Sequence, residues 1–302
     1  MRTNFQVFAA KFLLSVSILI SANSFAGCPP SGKSLDDLKN LKTSQWKISD
    51  TTQRQQTALA MLDCLSNPNP QLRDAIAFEA LSFWMRSELL NNETVQQIRE
   101  QLLKQILTKT IADDEGFTKP FAALVLAEVA RVDRRKAFMS DAQRQEMVDT
   151  AAMYLGQIVD FRGFDERTGW RHGVAHAADW MMQLSLNPAL TKAQHETMLA
   201  ALTQQIRNER HFYQYGEAER LMTPVFYLGL RSSLTSEDWD RWFANLLSTS
   251  LDLKKTNQAS LARKHNLSAF LSAFYVNLQE SKQLTLQEKL LPIVIKSMKK
   301  MN

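Results

Sequence analysis

The sequence predicts an all-α fold, an α/α superhelix formed as a solenoid-like stack of helical hairpins. About ten segments carry apolar residues at helical spacing, and short connections with proline or capping residues separate them. No run of alternating apolar and polar residues and no Asn-Gly or Asp-Gly turn predicts a β-hairpin. No fixed-period repeat is present, so the superhelix is predicted from the density of helices alone.

Capping residues and prolines indicate where the helices begin in the first half of the chain. Asn69 is expected to cap a helix whose first residue is Pro70, because asparagine accepts hydrogen bonds from a first turn and proline fits its first position. Pro120 is expected to open a buried helix, since an unbroken apolar run, 121–127, follows it. The helices expected here are Gln53 to Leu65, the one that Pro70 opens, Glu93 to Leu107, and the one that follows Pro120.

Capping residues also mark the second half. Ser140 and Thr191 are placed as caps, and Gln194 completes a capping box with Thr191. The Thr223-Pro224 pair is expected to open a helix, and Ser236 to cap the next one. The helices expected here are Gln143 to Ile158, Ala193 to Ile206, Val225 to Leu230, Asp238 to Leu247, Ala259 to Leu278 and Leu284 to Met298.

The N-terminus has the three parts of a signal peptide. Arg2 and Lys11 are basic, the apolar run from Phe12 to Ile20 follows, and small residues lead to Ala26. The run is far shorter than the roughly 20 residues that span a bilayer, and no later segment is apolar for long enough. We expect residues 1–26 to be a signal peptide and 27–302 to form a single all-α domain, periplasmic or secreted, with no transmembrane segment.

The two cysteines leave two alternatives open for the mature N-terminus. An even pair in an oxidising compartment suggests a disulfide between Cys28 and Cys64, which would tie the N-terminal tail to the first long helix. Alternatively, residues 25–28 resemble the lipobox of bacterial lipoproteins, with Phe25 in place of the usual aliphatic residue. Cys28 would then carry a lipid anchor, and Cys64 would be a lone buried thiol.

Charge and motifs exclude several classes of function. The formal net charge is +5, and without the charges of Arg2 and Lys11 the mature chain keeps +3. This charge is too small to suggest nucleic acid as a partner, and no basic stripe with interleaved aromatic residues occurs. The sequence has no Gly-rich phosphate loop, G-x-S-x-G elbow or C-x-x-C pair. Nucleotide, serine-hydrolase and thioredoxin chemistry are therefore disfavoured.

Residues 160–179, DFRGFDERTGWRHGVAHAAD, differ from the rest of the chain in their density of Gly, His and charged residues. They resemble the signature of the bacterial domain of unknown function family 2785, D-x-R-G-(Y/F) followed by G-W-x-H-x-x-A-H-x-A-D. Residues 72–74 together with 81–84, residues 121–127 and residues 217–221 resemble further stretches of the same family, so the resemblance extends over most of the mature chain. It implies an all-helical fold and implies no activity.

The motif supplies one candidate site. With Thr168 as cap, we expect a helix to Leu186 that places Trp170 on the apolar face. His172, His176 and Asp179 would share the opposite face. Two imidazoles and a carboxylate at this spacing can converge on a divalent metal such as Zn²⁺.

Three hypotheses for these residues stay open. In the first, Asp160 and Arg162 join His172 in a polar network whose hydrogen bonds are all satisfied and which fixes the loop to the helix. In the second, the residues line a pocket for a non-metal ligand. In the third, they hold a metal. For the metal site, Asp160 or Glu217 would be the general base, because no H-E-x-x-H glutamate is present. The candidate site residues are Asp160, Arg162, Trp170, His172, His176, Asp179, Glu217 and Arg220.

Two functions follow from these hypotheses. The preferred function is a helical-repeat binding or scaffold protein of the bacterial cell envelope, whose motif forms a polar patch for a protein or small-molecule ligand. The alternative is a metal-dependent hydrolase with zinc at His172, His176 and Asp179.

Overall fold

The regular structure is almost entirely helical, as predicted. The computed structural model describes residues 27–30, 32–109, 113, 115–248 and 256–301, and the predicted signal peptide lies outside these ranges. Within them, no helix is long and apolar enough to cross a membrane. The helices are α1 (Leu35–Thr43), α2 (Thr51–Ala60), α3 (Pro70–Leu72), α4 (Glu79–Arg86), α5 (Asn92–Leu107), α6 (Thr118–Arg135), α7 (Asp141–Gln157), α8 (Gly173–Ser185), α9 (Lys192–Ile206), α10 (Glu217–Arg231), α11 (Ser236–Leu246), α12 (Gln258–Glu280) and α13 (Leu284–Met301).

Shorter elements complete the chain. A 3₁₀ segment, Met61–Ser66, follows α2, and a π-helical segment, Arg73–Phe78, joins α3 to α4. Strands β1 (Phe164–Asp165) and β2 (Gly169–Trp170) form a two-stranded antiparallel sheet. The sheet is a departure from the sequence prediction, which contained no strand.

The helices pack in two rows. One row consists of α6, α8, α10 and α12, and the other of α5, α7 and α9. Consecutive helices such as α5 and α6, or α7 and α8, connect the rows. From α5 to α10, most helices therefore contact both a neighbour in sequence and the next helix of their own row, as in stacked helical hairpins. The superhelical path of the rows stays a prediction.

Helix α8 lies between α6 and α10, with which it makes its most extensive contacts. Its buried side chains include Val174, Met181 and Leu184, which remove apolar surface from water on one side. Ala175 and Ala178 are also fully buried, and their small size lets neighbouring helices approach closely. The motif is thus attached to a helix that is mostly buried between α6 and α10.

Most predicted caps are present. The side chains of Asn69, Ser140 and Thr191 accept hydrogen bonds from the first turns of α3, α7 and α9. The cap of α11 is Thr235, one residue before the predicted Ser236. The prediction that Pro224 opens a helix is wrong. Pro224 lies inside α10, which continues because it buries an apolar face against α8 and α12.

The predicted disulfide between Cys28 and Cys64 is present, with an S–S distance of 2.09 Å and a sequence separation of 36. Cys64 is fully buried in the 3₁₀ segment that follows α2. The bond therefore holds the start of the described chain against the first part of the core.

Candidate functional site

The motif folds as a β-hairpin followed by a helix. The predicted helix from Thr168 to Leu186 is therefore wrong in its first turn, because α8 begins only at Gly173. In the hairpin, Phe164 lies opposite Trp170. Beyond β2, the backbone N–H of Arg171 and of His172 donates to the carbonyl oxygens of Gly163 and Arg162, at 2.9 and 3.2 Å, which extends the pairing up to the helix.

The turn of the hairpin is set by Asp165. Its carboxylate accepts hydrogen bonds from the backbone N–H of Arg167 (3.1 Å) and from both the N–H and the hydroxyl of Thr168 (2.8 and 2.7 Å). The hydrogen bonds from Thr168 lower the pKa of this carboxyl. Gly169 closes the turn at φ +75°, a conformation that few residues other than glycine adopt. Thr168, predicted as a helix cap, is thus part of a hairpin turn.

Two buried arginines attach the hairpin to the helical core. Arg73 is 0% exposed, and its guanidinium donates to the Thr168 carbonyl oxygen at 2.8 Å and to Asp74 at 2.7 Å. It also lies over the ring of Phe117, 3.7 Å from the centroid. Arg171 lies over the same ring at 4.6 Å. Phe117 therefore contacts two guanidinium groups, an arrangement stabilised by cation–π attraction.

Gly163 lets the hairpin approach the loop before α10. A Cβ atom at this position would overlap the ring of Tyr215. The Tyr215 ring in turn meets Trp170 edge-on, with 5.7 Å between the centroids. The absence of a side chain at residue 163 therefore lets Tyr215 support the exposed strand.

Four rings form a surface that we call the aromatic patch: Phe164, Trp170, His172 and Tyr215. Phe164 is 48% exposed and Trp170 is 42% exposed. Their ring centroids lie 5.1 Å apart, and Trp170 stacks on His172 at 4.8 Å with an interplanar angle of 26°. The prediction that Trp170 belongs to the apolar face is therefore wrong, because the residue lies on a strand rather than on α8.

His172 connects the aromatic patch to α8. It is the residue before the helix and adopts the left-handed conformation, with φ 53° and ψ 41°. Its Nε2 is buried and forms no hydrogen bond with any described group. Burial lowers the pKa of His172, and the charge of Arg220 lowers it further, whereas Glu217 and the Tyr215 carbonyl act in the opposite direction.

His176 lies deeper, on the first turns of α8. It is 9% exposed, and its ring meets Phe121 of α6 edge-on at 5.2 Å. Burial, followed by the charges of His172 and Arg220, lowers the pKa of His176 to about 3. Its imidazole is therefore neutral at pH 7, and its Nδ1 has no hydrogen-bond partner among the described groups.

Asp179 and Arg220 form an ion pair between α8 and α10. Nη1 of Arg220 lies 2.5 Å from both carboxylate oxygens of Asp179. Burial raises the pKa of Asp179 more than the charge of Arg220 lowers it. The Arg220 side chain is 49% exposed, so this pair brings a cation to the surface beside the aromatic patch.

Glu217 is buried at the first residue of α10. Its carboxylate accepts a hydrogen bond from the backbone N–H of Tyr215 at 2.8 Å. Its position at a helix N-terminus is also favourable for a negative charge. Glu217 therefore orders the loop that carries Tyr215.

Asp160 and Arg162 form a pair of their own. The guanidinium of Arg162 donates to Asp160 through Nε at 2.9 Å and Nη2 at 2.6 Å. Burial alone would raise the pKa of Asp160, but the hydrogen bonds from Arg162 lower it. The backbone N–H of His172 donates to the Arg162 carbonyl oxygen at 3.2 Å, which connects this pair to the start of α8.

The geometry gives no support to the predicted zinc site. Among the described residues, no three His, Cys, Asp or Glu side chains are arranged so that they could hold a metal ion. The ring centroids of His172 and His176 are 6.1 Å apart, and Asp179 is bound by Arg220. A metal at this site would have to displace the guanidinium of Arg220.

Several residues of the site were not predicted. Phe164 and Tyr215 complete the aromatic patch, while Arg73 and Arg171 hold the hairpin. Gly169 after Asp165 was a usable signal, because a short loop that contains glycine suggests a hairpin. Tyr215 and Arg73 reach the motif only through the tertiary fold, and no local pattern marks them.

A family assignment can be made for this chain. No curated protein and no solved structure is significantly similar to it. The sequence model of one family, described as "Protein of unknown function (DUF2785)", matches residues 102–276. The match covers more than half of the chain and includes the hairpin, α8 and α10. The chain therefore belongs to the DUF2785 family.

Proposed function

We propose that the chain is an exported binding protein of the bacterial cell envelope and that the aromatic patch is its contact surface. The observation that carries the proposal is the state of Trp170, which is exposed yet held by rings on three sides, those of Phe164, His172 and Tyr215. Exposed tryptophan, tyrosine and arginine side chains dominate the binding energy of protein interfaces. The patch contains the exposed Trp170 and the half-buried Tyr215, and the partly exposed Arg220 lies beside it.

The order of the patch favours binding. A side chain that is mobile in the free protein loses roughly 0.5–1.5 kcal/mol when a ligand immobilises it. Trp170 is already fixed by its neighbours, and the hairpin is fixed by Arg73 and Asp165. A ligand on this surface would therefore meet a preformed site.

The disulfide supports export. Disulfides persist in oxidising compartments and are rare in the cytosol. The bond between Cys28 and Cys64 also uses the sulfur atom that a lipid anchor would need. It thus supports a soluble periplasmic or secreted protein that starts at Gly27 rather than a lipoprotein. N-terminal sequencing of the protein from its own host tests this start site.

A metal-dependent hydrolase is not favoured by the arrangement of the side chains in the candidate site. It needs His172, His176 and Asp179 around one ion, whereas Asp179 is paired with Arg220 and His176 packs against Phe121.

Native mass spectrometry of the protein purified from the envelope tests both functions. The binding proposal predicts a bound molecule on the wild-type chain that is lost in Trp170→Ala. It should be retained in Val276→Ala, because Val276 is 54% exposed and lies on α12, away from the hairpin. Chains with no bound molecule, or equal loss in both variants, would contradict the proposal. A bound zinc ion that disappears in a His172→Ala/His176→Ala double variant would instead restore the hydrolase.

A further inference from the structure

A concave surface lies at the C-terminal end of α6. A cavity of about 390 Å³ is enclosed by the turn after α4, the start of α5 and the end of α6. Its floor is apolar and includes Met85, Leu90 and Val95. Phe121 of α6 contacts His176, and Arg131 of α6 lines this cavity. The two residues are ten positions apart, which corresponds to roughly 15 Å along the helix axis. The cavity is therefore separate from the aromatic patch.

The rim of this cavity is basic. Arg131, Arg135 and Lys136 line it, and within the part of the chain that the structure describes none of the three pairs with a carboxylate. Arg86 also lines it, but it is engaged by Glu128. Among the described side chains that line the cavity, Glu88 is the one acidic residue. Positive charge therefore exceeds negative charge at the rim.

Several arginines elsewhere in the described part of the chain do have carboxylate partners, as in Arg144 with Asp133 and Arg171 with Glu115. At the end of α6, the cations instead repel one another. Burial lowers the pKa of Arg134, and the charges of neighbouring Arg131 and Arg135 lower it further.

The helix dipole explains only part of this cluster. Basic residues are favourable near the C-terminus of a helix by roughly 0.3–1 kcal/mol each. The helix dipole accounts for Arg135 and Lys136 at the end of α6. It does not explain why a cavity with an apolar floor lies beside these two residues. The N-terminus of α5, a 16-residue helix capped by Asn91, also lies at the cavity and adds the positive end of its own dipole.

We infer that this cavity binds a phosphate group carried by a small soluble molecule or by a lipid headgroup. Arginine is suited to this role because its planar guanidinium donates two parallel hydrogen bonds to phosphate oxygens. Arg131 and Arg135 are one helical turn apart on the same face of α6, so both can approach one group. The volume is in the range of small-molecule sites, and the apolar floor suits the organic part of the ligand.

The test compares two double variants. Arg131→Gln/Arg135→Gln removes two of the three unpaired positive charges that line the cavity. Arg210→Gln/Lys47→Gln removes two charges from exposed residues outside it that form no ion pair among the described residues. Melting followed by circular dichroism verifies that both variants fold. Isothermal titration with inorganic phosphate probes a soluble ligand, and flotation with phosphatidylglycerol vesicles, beside phosphatidylcholine vesicles, probes a headgroup.

We expect Arg131→Gln/Arg135→Gln to weaken binding about tenfold or more in the phosphate titration, in the vesicle flotation or in both, because charge-assisted hydrogen bonds to phosphate are lost. Arg210→Gln/Lys47→Gln should leave binding unchanged. Loss in the phosphate titration identifies a soluble source, and loss in phosphatidylglycerol flotation alone identifies a headgroup. Absence of binding in both arms, or equal weakening by both double variants, would overturn the proposal.

Discussion

At the scale of single residues, His176 shows how burial determines the charge of this site. Its pKa is about 3 in the folded chain, against an ordinary value of 6.5. Between these two values the unfolded chain binds a proton that the folded chain does not bind. Stability that depends on neutral His176 is therefore complete above about pH 6.5 and is lost as the pH falls towards 3.

We predict that His176→Gln makes the protein less sensitive to mild acid. Between pH 7 and pH 5, the free energy of unfolding of the wild type should fall by about 2 kcal/mol more than that of the variant, since each pH unit below the unfolded pKa contributes about 1.4 kcal/mol. Urea unfolding of both proteins at the two pH values measures this difference. Equal pH dependence of the two proteins would show that folding does not lower the pKa of His176, so that the imidazole is protonated at pH 5 in the folded chain as well.

We predict that Gly163→Ala destabilises the chain by about 2 kcal/mol, because the new methyl group overlaps the ring of Tyr215 and a well-packed contact cannot absorb it without displacement. The matched control is a double-mutant cycle. In a Tyr215→Ala background, Gly163→Ala should be nearly neutral, as judged by the midpoint of urea unfolding. A similar loss in both backgrounds would mean that the backbone conformation, and not Tyr215, requires glycine.

At the scale of elements, the helices were largely predictable and the hairpin was not. Caps such as Ser140 and Thr191 are local signals, so the sequence identifies them directly. The spacing of Trp170 to the apolar residues of α8 also fits a helix, which is why a helix was predicted from Thr168. The turn that Asp165 and Gly169 form competes with that helix, and burial of Arg73 against the hairpin decides the outcome.

The part of the candidate site that lies on helices could be predicted from the sequence, and the part formed by the hairpin and by distant loops could not. His176, Asp179 and Arg220 come together because they lie on regular helices whose faces the spacing predicts. Asp160 and Arg162 pair with each other, and the Asp160 carbonyl oxygen lies near Gly173 at the start of α8. The aromatic patch depends on Tyr215, which arrives from a distant loop.

We predict that Arg73→Met weakens the attachment of the hairpin and costs about 3 kcal/mol. The substitution keeps the apolar volume but leaves the Thr168 carbonyl and Asp74 without their buried partner. The matched control is Arg210→Met at an exposed position, where a change below about 0.5 kcal/mol is expected. The free energy of unfolding of the two variants provides the comparison. A loss as small as that of the control would show that Arg73 does not hold the hairpin on the core.

At the scale of the whole molecule, the disulfide constrains the N-terminal part of the stacked helices. A loop with a sequence separation of 36 between Cys28 and Cys64 corresponds to roughly 4 kcal/mol on the chain-entropy model. We predict that reduction lowers the melting temperature of the wild type. It should leave a Cys28→Ala/Cys64→Ala variant unchanged, and the variant should melt close to the reduced wild type. A reduced wild type that melts with the oxidised one would show that the bond does not stabilise the fold.

We propose that the aromatic patch contacts another molecule in the cell envelope. The most direct test of this claim is photo-crosslinking in the native host, with a benzophenone amino acid placed at residue 170 or, as a control, at residue 276. Both positions are exposed, but only residue 170 lies in the patch. We predict a discrete adduct from position 170 in the intact-protein mass spectrum and none from position 276. No adduct from position 170, or the same adduct from both positions, would contradict the claim.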